Sequence, residues 1–239
     1  MTRLWLLGLA IASLLIVSPA SAEVVQRTGR FGGTQVTYVV SLPPGYDAAR
    51  AYPVVLVFTG GPQLLRMAEG TVRTDWQAEA DRRGYVVVSP GTPDGSLFFE
   101  AADRIFPEFL DMLVREFTPV NGRVHIAGHS NGGLSAFHIA AKFPQYVATV
   151  TGHPGLLDGS ADLARAAALK PACLFMHVGE KDDGWRGAMR QQYETLMKQG
   201  YRIRFTVEPG QVHRIKAGEV NLSRRLFDEI DGCRPAAGR

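Results

Sequence analysis

Apolar residues along the chain fall into two alternating patterns. Short, mostly apolar runs at residues 53–58, 85–88, 123–127, 146–150 and 172–178 read as strands, the first two buried on both faces. Between and after them lie longer segments with helical spacing, at residues 74–83, 101–117, 131–143, 185–199 and 217–230. In the second of these Ile105, Phe109, Met112 and Leu113 share one face. The breakers fall at segment ends: Gly84 and Gly200 close two helices, and Pro144 stops a third. Residues 34–42, rich in Val, Thr and Tyr, read as an early strand that Pro43-Pro44-Gly45 terminates, and residues 201–207 as the last strand. Strands that alternate with helices predict the α/β class: a mostly parallel sheet of about eight strands, helices on both faces and an antiparallel opening pair. No repeat, low-complexity stretch or linker interrupts the alternation. A single domain over residues 23–239 follows, with residues 234–239 as a frayed tail.

The first residues follow a different logic. Arg3 precedes an apolar run from Leu4 to Val17, and Ala20-Ser21-Ala22 follows as an A-x-A site. The run is short for a span, which takes about 20 residues, so residues 1–22 are expected to be a cleavable export signal that leaves Glu23 first. Export to the periplasm or the medium makes a disulfide permissible for the two cysteines, Cys173 and Cys233. The formal net charge is +3 and the basic residues are scattered, which gives no stripe for nucleic acid. No later segment is apolar enough to span a membrane, no His/Cys/Asp spacing resembles a metal cage, and no cofactor is implied.

Residues 128–133 read Gly-His-Ser-Asn-Gly-Gly, between the strand at 123–127 and the helix that follows. This is G-x-S-x-G in strand–turn–helix context, the setting of a nucleophile elbow. Ser130 on such a turn needs strained backbone angles, and Gly128 and Gly132 approach too closely to carry side chains. The oxyanion donors expected with it are the N–H groups of Asn131 and of Gly61, in the loop Thr59-Gly60-Gly61-Pro62. A triad acid belongs just past the strand at 172–178, where Asp182 is the best placed, Asp183 competes and Glu180 trails. Of the six histidines only His213 follows that acid, which makes it the expected general base. His125, His138 and His177 read as structural, His129 as packed below the elbow, and His153 as a wall of the site.

The chain resembles the α/β-hydrolase superfamily, and within it the exported polyhydroxybutyrate depolymerase and feruloyl esterase-like group. The phrases that carry the resemblance are YVVSLPPGY at 38–46, YPVVLVFTGG at 52–61, GYVVVSP at 84–90 and VHIAGHSNGG at 124–133. The resemblance implies the triad Ser130, Asp182 and His213, and a carboxylic ester, small or polymeric, as substrate. Two positions depart from the group's pattern: Thr59 stands where a His usually precedes Gly60, and Val212 where a Gly usually precedes the catalytic His. Other uses of such a scaffold are a prolyl-oligopeptidase-like peptidase, an acyltransferase, or a binding module without catalysis.

The fold sharpens three further expectations. Residues 151–171 are too few for a large lid, so the site is minimal and open. Phe98 and Phe99, in the loop at 91–101, are candidates for an apolar acyl or aryl pocket, with Trp185 as another wall and residues 62–73 as a mobile rim. Cys173 starts a strand and Cys233 ends the last helix. Both belong at the lower edge of the sheet, in reach of a disulfide.

Overall fold

The computed structural model describes residues 22–233. The predicted export signal at 1–22 lies, except for Ala22, outside the described residues, and so does the tail at 234–239. Eight strands form one sheet: β1 (Glu23–Phe31), β2 (Thr34–Leu42), β3 (Val54–Phe58), β4 (Val86–Pro90), β5 (Val124–Gly128), β6 (Val147–Gly152), β7 (Cys173–Gly179) and β8 (Arg202–Glu208). Their spatial order is β1-β2-β4-β3-β5-β6-β7-β8. β2 pairs antiparallel with both β1 and β4, and every other pairing is parallel. This is the mostly parallel, eight-stranded sheet that the alternating pattern predicts, in the α/β-hydrolase arrangement that the resemblance implies.

The continuous apolar runs exist because the sheet is covered twice. Along β3, Val54, Leu56 and Phe58 enter one core, and Val55 and Val57 enter the other. Side chains in a strand alternate between faces, so a strand buried on both sides has no polar position to spare. On the first face pack α3 (Phe98–Phe117), α4 (Asn131–Lys142) and α6 (Asp183–Lys198), with α5 (Gly159–Arg165) against α4. On the second lie α1 (Leu65–Thr71), α2 (Gln77–Arg83), α7 (Ala217–Val220) and α8 (Leu222–Gly232). No helix among the described residues is long and apolar enough to cross a membrane.

Three elements differ from the sequence reading. Residues 62–73 are not a loose rim: α1 begins at Leu65 and runs through a π-turn, Val72–Trp76, into α2. Ala68, Val72, Trp76 and Ala80 recur at helical spacing and are buried in the second core, which holds the segment in place. α3 starts at Phe98 rather than 101, which adds Phe98 to the stripe of Ile105, Phe106 and Phe109. The last helix is two, broken at Asn221, which takes the left-handed conformation that Asn tolerates better than most residues (φ 50°). The predicted bond between Cys173 and Cys233 is present and ties the start of β7 to the end of α8.

Candidate active site

Ser130 sits between β5 and α4 with φ 57° and ψ −121°, a conformation L residues rarely adopt. The turn closes because its flanks are glycine. A Cβ at Gly128 would stand 2.0 Å from the Gly132 carbonyl oxygen, and one at Gly132 would stand 2.2 Å from that of Phe58. The Ser130 N–H donates to the Pro154 carbonyl at 2.8 Å, which fixes the elbow against the end of β6.

Three side chains from distant parts of the chain meet there. Ser130 Oγ lies 2.9 Å from His213 Nε2, and His213 Nδ1 lies 2.7 Å from Asp182 Oδ2. The carboxylate accepts from Nδ1–H, which leaves Nε2 free to accept the Ser130 hydroxyl proton. Asp182 is the residue just before α6, in the loop after β7, and its side chain is 11% exposed. Asp183, the competitor, is 83% exposed and pairs with Arg186 at 2.5 Å. Glu180 accepts instead from the Gly210 N–H at 2.8 Å. Trp185 lies with its ring 5.7 Å from that of His213.

The loop after β3 comes up to the elbow. Gly61 has φ +61°, and among the described residues none accepts its N–H. Asn131 opens α4, whose first-turn N–H groups have no acceptor within the helix. The Asn131 side chain donates to the Gly61 carbonyl at 3.1 Å and locks loop to elbow. Buried Gln63 braces the same loop: its Nε2 donates to Ser135 Oγ at 2.9 Å, and its Oε1 accepts from the Phe98 N–H at 2.8 Å. Sequence reasoning missed Gln63. A polar residue after Gly-Gly-Pro gives no signal of burial, because its partners lie in α3 and α4.

A cavity of about 160 Å³ opens beside this arrangement, walled by Thr59, Gly60 and Gly61, by Trp76, and by His129 and His153. Arg214 and Ile215, the residues after His213, complete it with Leu222 and Leu226 of α8. Thr59 and His153 both line it, and both are buried. Phe98 does not: it is fully buried in the first core, its ring 5.6 Å from Phe58 and 5.3 Å from Phe106. Because α3 begins at Phe98, that ring occupies a core-facing position. Phe99 is half-buried and likewise no part of the cavity wall. His129 and His153 stand with ring centres 5.8 Å apart. Burial pushes the His129 pKa down to about 4 and that of His153 well below its ordinary value, so both are neutral.

Beneath the loops that carry Asp182 and His213 lies a buried ionic cluster. His177 of β7 bonds Glu208 of β8 through Nδ1 at 2.9 Å and Glu229 of α8 through Nε2 at 2.8 Å. A ring with a carboxylate at each nitrogen donates from both, so it is the imidazolium. Burial opposes that charge, but the bonds to Glu208 and Glu229 outweigh it and raise the His177 pKa. Burial likewise pushes the Glu208 carboxyl up, and bonds from His177 and Arg225 outweigh it and bring the pKa down to about 2. Arg225 closes the group with two bonds to Glu208, at 2.8 and 2.6 Å. The other predicted structural histidines also have partners: His125 bonds Thr149 and His138 bonds Asp162, each at 2.9 Å.

No family model matches the chain. Over 139 residues it is 28% identical to dipeptidyl-peptidase 5 of Porphyromonas gingivalis. That match covers 53% of this chain and 20% of the relative, so the chain spans about a fifth of the relative's length. Among solved structures it is similar to the feruloyl esterase module from Clostridium thermocellum complexed with sinapinate, with a TM-score of 0.67, 16% identity and 95% of each chain covered. It is also similar to a dienelactone hydrolase from Anabaena variabilis, with a TM-score of 0.65, 18% identity, and 90% of this chain and 100% of that one covered. At these identities the likeness is one of fold.

Proposed function

We propose that the protein is an exported serine hydrolase that cleaves carboxylic esters through an acyl-enzyme on Ser130. The observation that carries this reading is the unbroken hydrogen-bond chain from Ser130 Oγ through His213 to Asp182, on a strained elbow at the strand ends. His213 takes the Ser130 proton as the oxygen attacks the ester carbonyl, and Asp182 holds the ring's tautomer and stabilises the imidazolium. The oxyanion is received by the Gly61 and Asn131 N–H groups. His213 then protonates the leaving alcohol, and water, activated the same way, releases the acid. The names of the structural neighbours favour ester substrates, and the Cys173–Cys233 bond agrees with an oxidising compartment.

A fluorophosphonate probe tests the reading, because it labels only an activated serine. The expected result is labelling of the wild type and none of Ser130→Ala, with loss of p-nitrophenyl acetate hydrolysis in the same variant. Full hydrolysis by Ser130→Ala overturns it. A second reading, a peptidase, is favoured by the identity shared with dipeptidyl-peptidase 5. Dipeptidyl p-nitroanilides separate the two: Ser130-dependent release from them, without turnover of the ester, selects the peptidase.

A further inference from the structure

The cavity beside the elbow has walls that set an upper limit on what it can hold. We propose that it is the acyl subsite of the hydrolase read above, on which the inference rests, and that it admits only short, uncharged acyl groups.

Its placement assigns the acyl side. A bound ester must put its carbonyl oxygen on the Gly61 and Asn131 N–H groups and its leaving oxygen against His213 Nε2. The cavity wall includes Gly60, Gly61 and His129, which flank the oxyanion position and the nucleophile, but neither Ser130 nor His213. The His213 side chain is 42% exposed, with Trp185 against it, so the alcohol leaves on the open side. The acyl group is left with the enclosed side.

Its size sets the length. About 160 Å³ is close to the volume of an engineered cavity that accepts one benzene, some six non-hydrogen atoms. Trp76 and Leu226, 1% and 2% exposed, belong to helices packed on the sheet and do not yield. Met67 is the flexible wall, its methyl 3.2 Å from where a Gly61 Cβ would stand.

Its chemistry sets the charge. The Thr71 hydroxyl donates to Thr59 Oγ1 at 3.0 Å, and His129 and His153 are neutral, so the interior offers no cation to an anionic acyl group. Half-buried Asp75 repels one. Arg214, the cation on the wall, is exposed to water.

The test is kcat/KM for p-nitrophenyl esters from acetate to dodecanoate, with methyl ferulate as a bulky aryl ester. We expect comparable values through hexanoate and a fall of at least 30-fold by decanoate, with ferulate as poor. Leu226→Ala and, as a variant that leaves the core intact, Met67→Ala raise the decanoate-to-acetate ratio at least tenfold. Ala217→Phe fills the cavity from α7 and lowers the hexanoate-to-acetate ratio by a similar factor. Decanoate or ferulate turned over as fast as butyrate, or ratios unmoved in all three variants, overturn the inference while Ser130-dependent acetate hydrolysis stands. If Ser130 takes no probe and no ester is cleaved, the esterase reading itself falls and the subsite with it.

Discussion

The strain at Ser130 is a local cost, about 1–3 kcal/mol for such a backbone conformation, and Gly128 and Gly132 make it tolerable by leaving room for each other. That economy is why the elbow is legible in the sequence: the residues that must be glycine are its own neighbours. Gln63 and the Asn131 side chain are not legible, because their bonds to Ser135, Phe98 and Gly61 depend on segments that meet only in the fold. The choice between Asp182 and Asp183 was open for the same reason, since one residue's shift along the loop decides which carboxylate turns inward. Asp182→Asn is expected to lower kcat by about 10⁴-fold, by leaving His213 in the wrong tautomer. Asp183→Asn, which disturbs an exposed pair with Arg186, should stay within about threefold of wild type, in line with the small worth of surface pairs. Steady-state kinetics on p-nitrophenyl acetate compare them, and equal losses in the two variants overturn the assignment.

At the scale of elements, the sheet and most helices follow from the pattern of apolar runs, while helix ends do not. The sequence offers 62–73 only as a rim and starts the next helix at 101, because Pro62 and the turn residues at 91–96 mask a helical stripe that only burial reveals. What joins the elements is sparse and specific. The Cys173–Cys233 bond closes a 60-residue separation, for which chain entropy gives about 4 kcal/mol. Reduction is therefore expected to lower Tm by on the order of 10 °C in a calorimetric scan. No change would mean that α8 is held by packing alone. The cluster of His177, Glu208, Glu229 and Arg225, with Arg204 on its rim, joins β7, β8 and α8 by charge. Glu208 has a pKa depressed to about 2 from an ordinary 4.5, so its contribution is complete above 4.5 and fades as pH falls toward 2. His177 has a raised pKa, so its contribution is complete below the ordinary 6.5 and fades as pH rises past its folded value. The cluster thus stabilises most between about pH 4.5 and 6.5. Urea midpoints measured across pH should show Glu208→Gln less stable by about 3 kcal/mol within that window, with the gap closing below it. A gap that does not vary with pH would remove the ionic account.

The whole molecule is a sheet covered on both faces, and its edges are where the two faces end. β1 is the first edge strand, half-exposed, and it pairs with β2 over its full length, beginning with Glu23 opposite Leu42. The register bears on the proposed export signal. Cleavage after Ala22, the end of the A-x-A site, leaves every β1 residue in the ladder. A cut a few residues later would strip backbone bonds from the ladder and bare part of β2, a strand otherwise paired on both sides. The expected cleavage site and the first ladder residue therefore stand on either side of one peptide bond, Ala22–Glu23. The protein recovered from periplasm or medium is expected to begin at Glu23, by N-terminal sequencing or intact mass. A mature chain that begins within β1, or one that keeps Met1, would show that the leader and the sheet edge are not matched in this way.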